Sequence, residues 1–148
     1  MNVDGAIFKE RKESGVGVII RDVNGLVVAA MCKKFHAPLG PLEVEAKAFE
    51  SGLQFAKDVG LQEFILKGDS LNVVRALRGL SPPSVSVMSI IYGIQSSCHD
   101  VRKVLFSHVC RKGNKLAYLL TKHAISIVIL WCGWKRILVS WNKLSIMM

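Results

Sequence analysis

The stretch Met1-Asn2-Val3-Asp4-Gly5-Ala6-Ile7 decides how the rest of the chain is read. It is a short apolar run carrying one carboxylate. Asp-Gly is ordinarily a hairpin signal. Here only three residues precede it, so there is no earlier strand for such a hairpin to pair with. Asp4 therefore reads as an acid held on a buried strand. It gains weight from two later acids, Glu45 and Asp69, which a structural role explains poorly or only in part.

Outward from that strand, Ser14–Asp22 is β-branched and dotted with glycine, and Leu26–Lys33 is a second apolar run. Asn24-Gly25 between them predicts a hairpin with a type I′ turn, because both residues tolerate positive φ. Gly15 and Gly17 mark either a bulge or a close approach of another backbone. The period then changes. After Pro38 and Pro41, Leu42–Val59 places Leu42, Ala46, Ala48, Phe49, Gly52, Leu53, Phe55, Ala56 and Val59 on one helical face. Glu43, Lys47, Glu50, Gln54 and Lys57 fall on the other.

Glu45 lands in the middle of the apolar face, the one charge there. A carboxylate so placed must be neutralised, paired or bound to a cation. Gly60 ends the helix. Glu63–Gly68 reads as a strand, Asp69-Ser70 as the opening of a helix over Leu71–Leu80, Val85–Ser97 as a further helix and Val104–Val109 as a last strand. Strand, helix, strand in this order implies a right-handed crossover to a parallel neighbour. Asp69 then sits at the carboxyl end of a parallel strand, where open α/β sheets bind ligands. It is equally placed to cap the following helix, and alone the residue favours the cap. Arg111-Lys112-Gly113-Asn114 is a basic turn before a final helix from Lys115 to about Ile125. The pattern β-β-β-α-β-α-α-β-α is that of a mixed sheet with helices on both faces.

The 148 residues suit one domain, and 51% hydrophobic against 21% charged residues is globular composition. The net charge of +9 is unevenly spread: residues 1–100 balance, whereas Val101–Met148 holds nine Lys/Arg and no acid. A basic final third fits a polyanionic partner such as nucleic acid, or a merely solvated face. Cys32, Cys98, Cys110 and Cys132 form no C-x-x-C pair, against a zinc site or a secreted disulfide framework. With no signal segment, an intracellular home, cytoplasmic or nuclear, is expected. Lys135 and Arg136 interrupt the apolar Ile125–Met148 too early for a bilayer span, so no membrane is expected. His36, His99 and His123 lack metal-ligand spacing. Trp131, Trp134 and Trp141 fit packing against the domain better than stacking on bases.

Five segments in order carry a resemblance: Asn-Val-Asp-Gly-Ala; Gly-Val-Gly-Val-Ile-Ile-Arg-Asp; Glu45-Ala46-Lys47-Ala48; Leu-Lys-Gly-Asp-Ser; and Arg-Lys-Gly-Asn-Lys-Leu-Ala-Tyr-Leu-Leu. Together they resemble the type-1 ribonuclease H family, and most nearly its reverse-transcriptase-associated domains of plants. The resemblance covers about residues 1–125 as a ribonuclease H-like domain, leaving 126–148 as an atypical apolar, basic tail. It implies a five-stranded mixed sheet, with the first three strands antiparallel and the last two parallel. It also implies hydrolysis of the RNA strand of RNA–DNA hybrids by a monomer using two Mg²⁺ ions, with duplex RNA as another nucleic-acid partner. Asp4, Glu45 and Asp69 would be the catalytic, metal-holding acids, since a hard cation takes oxygen ligands. Arg111, Lys112, Asn114 and Lys115 would bind nucleic acid.

The chain departs from the pattern at Tyr118, which stands where the family has a fourth acid. The second ion would be weakly held and turnover low. The alternative is a nucleic-acid-binding domain of the same fold with impaired catalysis. His108 has the spacing of the mobile histidine of some members, although the end of an apolar strand suits a core or edge histidine better. The first strand begins at residue 1, as in a clipped domain.

Overall fold

The computed structural model describes residues 1–122 with their side chains, and the backbone of His123 and of residues 128–132, 135–140 and 143–147. Five strands come first: β1 Asn2–Phe8, β2 Glu13–Arg21, β3 Val27–Phe35, β4 Glu63–Gly68 and β5 Lys103–His108. The helices are α1 Pro41–Asp58, α2 Leu71–Leu77, α3 Met88–Ser97 and α4 Lys115–His123. β1, β2 and β3 are antiparallel, and β4 pairs parallel with both β1 and β5. The expected mixed sheet is therefore present, in the order β3-β2-β1-β4-β5. The backbone continues it beyond β3 through β6 Val128–Cys132, β7 Lys135–Ser140 and β8 Lys143–Met147. Sequence alone left those residues as a tail without elements. The end expected for the last helix, Ile125, and the packing expected of Trp131, Trp134 and Trp141 lie outside the described residues and side chains. Among the described residues no helix is long and apolar enough to cross a membrane.

α1 starts where Gly40 and Pro41 break the extended chain, and Glu43 Oε2 accepts the Gly40 amide at 2.8 Å. Its apolar face, with Val44 added to the expected set, packs on Val3, Val16, Val18 and Leu66 of the sheet. α4 packs on β1, β2 and β3. The two helices take opposite faces of β1, because successive side chains of a strand alternate. Val3 points at α1, where its Cγ1 lies 2.6 Å from the position a Cβ on Gly52 would take. Asp4 points the other way, its carbonyl bonded by Thr121 of α4 at 3.2 Å.

Two glycines permit this. A Cβ on Gly5 would sit 2.7 Å from the Val44 carbonyl oxygen of α1. A Cβ on Gly17 would sit 2.5 Å from the Ala117 carbonyl oxygen and 2.8 Å from the Thr121 amide of α4. Of the two roles open to Gly17, close approach is the correct one. The single register shift of the β2–β3 pair lies elsewhere, between Ile20 and Arg21.

The β2–β3 connection corrects one expectation. In a type I′ turn Asn24 and Gly25 would both have positive φ, yet only Gly25 does, at 80°. Asp22 is the reason. Its Oδ1 accepts the amides of Asn24 (2.9 Å) and Leu26 (3.0 Å), and its carbonyl accepts Gly25 N–H (3.0 Å). That side chain organises a longer loop that needs one left-handed residue instead of two.

The glycine contacts set a stability contrast. Gly17→Ala forces a methyl into helix backbone and is expected to cost about 1–3 kcal/mol. Gly93, inside α3, has nothing within 4 Å of a built Cβ. Gly93→Ala should instead stabilise by about 0.5–1 kcal/mol. Urea unfolding of both variants checks the pair, and equal effects would refute the packing account.

Candidate active site

Three elements deliver one acid each. Asp4 leaves the middle of β1, Glu45 the second turn of α1, and Asp69 the chain just past the end of β4. Each offers a carboxylate oxygen, and these atoms lie within 4.8 Å of one another. They line a cleft of about 370 Å³, walled also by Gly5, Arg111, Lys115 and Tyr118. A larger groove of about 730 Å³ runs beside β5, but no carboxylate lines it.

The cluster is electrostatically unsatisfied. Asp4 is 4% exposed, and burial, then the Asp69 carboxylate, pushes it up from 3.8 to about 6. Burial, followed by Asp4 and Asp69, pushes Glu45 up from 4.5 to about 8. The Gly5 amide and Arg111 pull both the other way without cancelling these effects. Asp4 Oδ2 and Glu45 Oε2 are buried with no hydrogen-bond partner. Orphaned carboxylate oxygens facing one another are what a divalent cation satisfies, and an all-oxygen donor set is the set for a hard ion. The three residues fit such an ion.

Asp69 does not act as the helix cap that its position suggested. Ser70 occupies the N-cap of α2, with no side-chain cap hydrogen bond. The Asp69 carboxylate turns toward the cleft, with Oδ2 3.7 Å from Nε of Arg111. That guanidinium side chain is 95% exposed, so the pair adds little stability and leaves Arg111 open to other anions. Lys112 and Lys115 are exposed beside it. His108 sits exposed at the end of the edge strand β5 and donates from Nε2 to the Asp69 carbonyl (3.2 Å). It belongs to the edge, not the core.

Asn114, expected among the residues that bind nucleic acid, lines the same cleft, but it is 2% exposed and is also bonded inside the fold. Its Nδ2 donates to the Val3 carbonyl (2.7 Å), and its Oδ1 accepts from Asn2 (3.1 Å). Thr121, which sequence reasoning passed over, is fully buried and shares its hydroxyl between the carbonyls of Asp4 and Ala117. A threonine four residues after a small helical residue was the available signal, since that spacing allows back-bonding to the helix. Tyr118 lies between these two anchors on the rim of the cleft.

Comparison with known proteins agrees with this architecture. The model of the reverse transcriptase-like family matches residues 2–124. Among solved structures, the chain is similar to ribonuclease H1 from the halophilic archaeon Halobacterium salinarum, at 22% identity and a TM-score of 0.78, covering 84% of this chain and 94% of that one. It is similar to the N-terminal RNase H domain of a Mycobacterium tuberculosis protein, at 21% identity and a TM-score of 0.73, covering 83% and 89%. It is also similar to LC11 ribonuclease H1, solved with an RNA/DNA hybrid, at 20% identity and a TM-score of 0.75, covering 84% and 94%. At these identities the likeness is one of fold. No curated protein matches the sequence.

The raised acids fix a pH dependence. A carboxyl group with a higher pKa in the folded than in the unfolded state holds a proton that the unfolded chain has lost. Without a cation, stability is thus greatest below the ordinary carboxylate range and falls as pH rises through about 6 and about 8. Between pH 5 and pH 8.5 in EDTA, Tm should drop by on the order of 5 °C. Millimolar Mg²⁺ should recover it at the alkaline end. Glu45→Gln should remove most of both responses. A flat Tm profile in differential scanning calorimetry would refute this electrostatic picture.

Proposed function

The chain belongs to the reverse transcriptase-like family, and on that footing we propose that it is a divalent-cation-dependent nuclease of the ribonuclease H type, cutting the RNA strand of RNA–DNA hybrids. The observation that carries the proposal is the convergence of Asp4, Glu45 and Asp69 on one cleft, with two buried oxygens unpartnered. These residues would hold the ions. When bound, such ions activate a water and stabilise the leaving oxygen of an in-line displacement.

The protein's own groups do the rest. β1, α1 and β4 hold the acids in a fixed geometry before substrate arrives, so little reorganisation is left to the reaction. Arg111, Lys112 and Lys115 face solvent on one side of the cleft, where they can meet phosphates without reading bases. Recognition of a hybrid then rests on groove shape and 2′-hydroxyls. Magnesium as the ion, plant-type reverse-transcriptase-associated kinship, a monomeric state and a nuclear or cytoplasmic home belong to the same proposal.

A second reading is favoured by one residue. Tyr118 presents a phenol at the cleft where the resemblance places a fourth acid. A phenol offers a cation much less charge than a carboxylate, so catalysis is weakened, and in the limit the domain only binds.

A gel assay of labelled RNA–DNA hybrid, with Mg²⁺ against EDTA, separates the two. Wild type should cleave slowly, with a rate still climbing at high Mg²⁺, and Asp69→Asn should abolish cleavage. Tyr118→Asp should raise the rate at least about tenfold, because one missing electrostatic stabiliser costs about 10²–10³. No cleavage by either the wild type or Tyr118→Asp, both folded, gives the binding domain the lead.

Replacing Arg111, Lys112 and Lys115 together by alanine should weaken hybrid binding and lower the slope of log affinity against log salt by about two to three. An unchanged slope would make them a solvated face.

A further inference from the structure

The acid cluster accounts for the floor of the cleft but not for its rim. There α4 is held against the sheet by Asn114, Ala117 and Thr121, all buried. Position 118 lies four residues after the first anchor and three before the last, on the same side of the helix. The helix cannot rotate without breaking the hydrogen bonds of Asn114 to Val3 and of Thr121 to Asp4. The backbone of Tyr118 is therefore held at a fixed place on the wall of the acid-lined cleft. The residue is nonetheless 47% exposed.

Lys122 Nζ lies over the Tyr118 ring, 5.2 Å from the centroid, and Lys115 and Arg111 line the cleft with Tyr118. A half-exposed aromatic ring with a lysine over it and two further cations in the same cleft suits a ligand that joins a flat π-face to a phosphate across a sugar. In a duplex the bases are already stacked and paired, so their faces are closed to a side chain. An unpaired base offers its face freely.

We propose that Tyr118 and Lys122 form a stacking platform that binds an unpaired nucleobase of single-stranded nucleic acid at the rim of the acidic cleft. Tyr118 holds the base and Lys122 its neighbouring phosphate. Where the resemblance expects a metal ligand, this chain carries a base-binding ring, which directs the cleft toward overhangs and single strands. The proposal rests on the reading of the cleft as a nucleic-acid site.

Fluorescence anisotropy on the full chain in EDTA, where nothing is cleaved, tests it with two probes: a twelve-nucleotide oligodeoxyadenosine and a blunt RNA–DNA hybrid. Tyr118→Leu should weaken binding of the single strand at least about fivefold, and by a clearly larger factor than it weakens hybrid binding. Tyr118→Phe, which keeps the ring, should bind the single strand like the wild type. Lys122→Ala should lower the salt slope for the single strand by about one. The proposal is overturned if folded Tyr118→Leu binds the oligonucleotide as tightly as the wild type, or if it loses both ligands equally. A wild type that binds the single strand but never cuts a hybrid sinks the nuclease reading alone. One that cuts hybrids but ignores the oligonucleotide sinks the platform alone.

Discussion

The structure depends on backbone meeting backbone across β1 and β2. Helices normally stand off a sheet by the length of the side chains between them. At Gly5 and Gly17 there are none, and the carbonyls of Val44 and Ala117 come to within contact distance of the strands. That closeness brings the second turn of α1 near Asp4 and brings Thr121 onto the Asp4 carbonyl. Any side chain at either glycine would lift a helix and open the cleft from one side. The acids are thus gathered by what the neighbouring positions lack as much as by what they carry.

Gathering them has a thermodynamic cost. Burial and mutual repulsion make the charged forms of Asp4 and Glu45 unfavourable, and two of their oxygens have no partner. A chain selected only for stability would carry amides or apolar residues at these positions. Retaining carboxylates makes the fold less stable without a cation than with one. At Asp4 and Glu45 the carboxylates that suit a cation work against stability, as is common where a site is built before its ligand arrives.

Much of this could be read from the sequence, because its strongest signals were violations of pattern. Glu45 was visible as a charge on an otherwise apolar helical face, and Asp4 as an acid in a strand too close to the start for a hairpin. Asp69 was ambiguous because one residue type suits both a cap and a ligand, and only the direction of its side chain separates them. The β2–β3 turn was misjudged because the Asn-Gly pair was weighed without Asp22, whose carboxylate satisfies the loop amides. The part Asn114 plays inside the fold was not legible. In a run of basic residues an amide looks like part of a phosphate site, and its burial follows from contacts with Val3 and Asn2 far away in the chain. Three strands beyond α4 went unseen because an apolar segment with few turn residues shows neither period clearly.

The contacts that seat α4 also constrain the order of assembly. Asn114 reaches Val3 over a separation of 111 residues, and Thr121 reaches Asp4 over 117. The three acids fall within the first 69 residues, so a growing chain holds the whole acidic set long before it has the helix that closes over it. Loop-closure entropy sets such distant pairings against local ones, and ribosomal synthesis at roughly 5–20 residues per second adds a delay of seconds. During that interval the face of β1 and β2 that carries Asp4 and Gly17 lacks its cover. The cleft is accordingly the slow, non-local part of this domain. Mutations in α4 should register in the yield of folded protein.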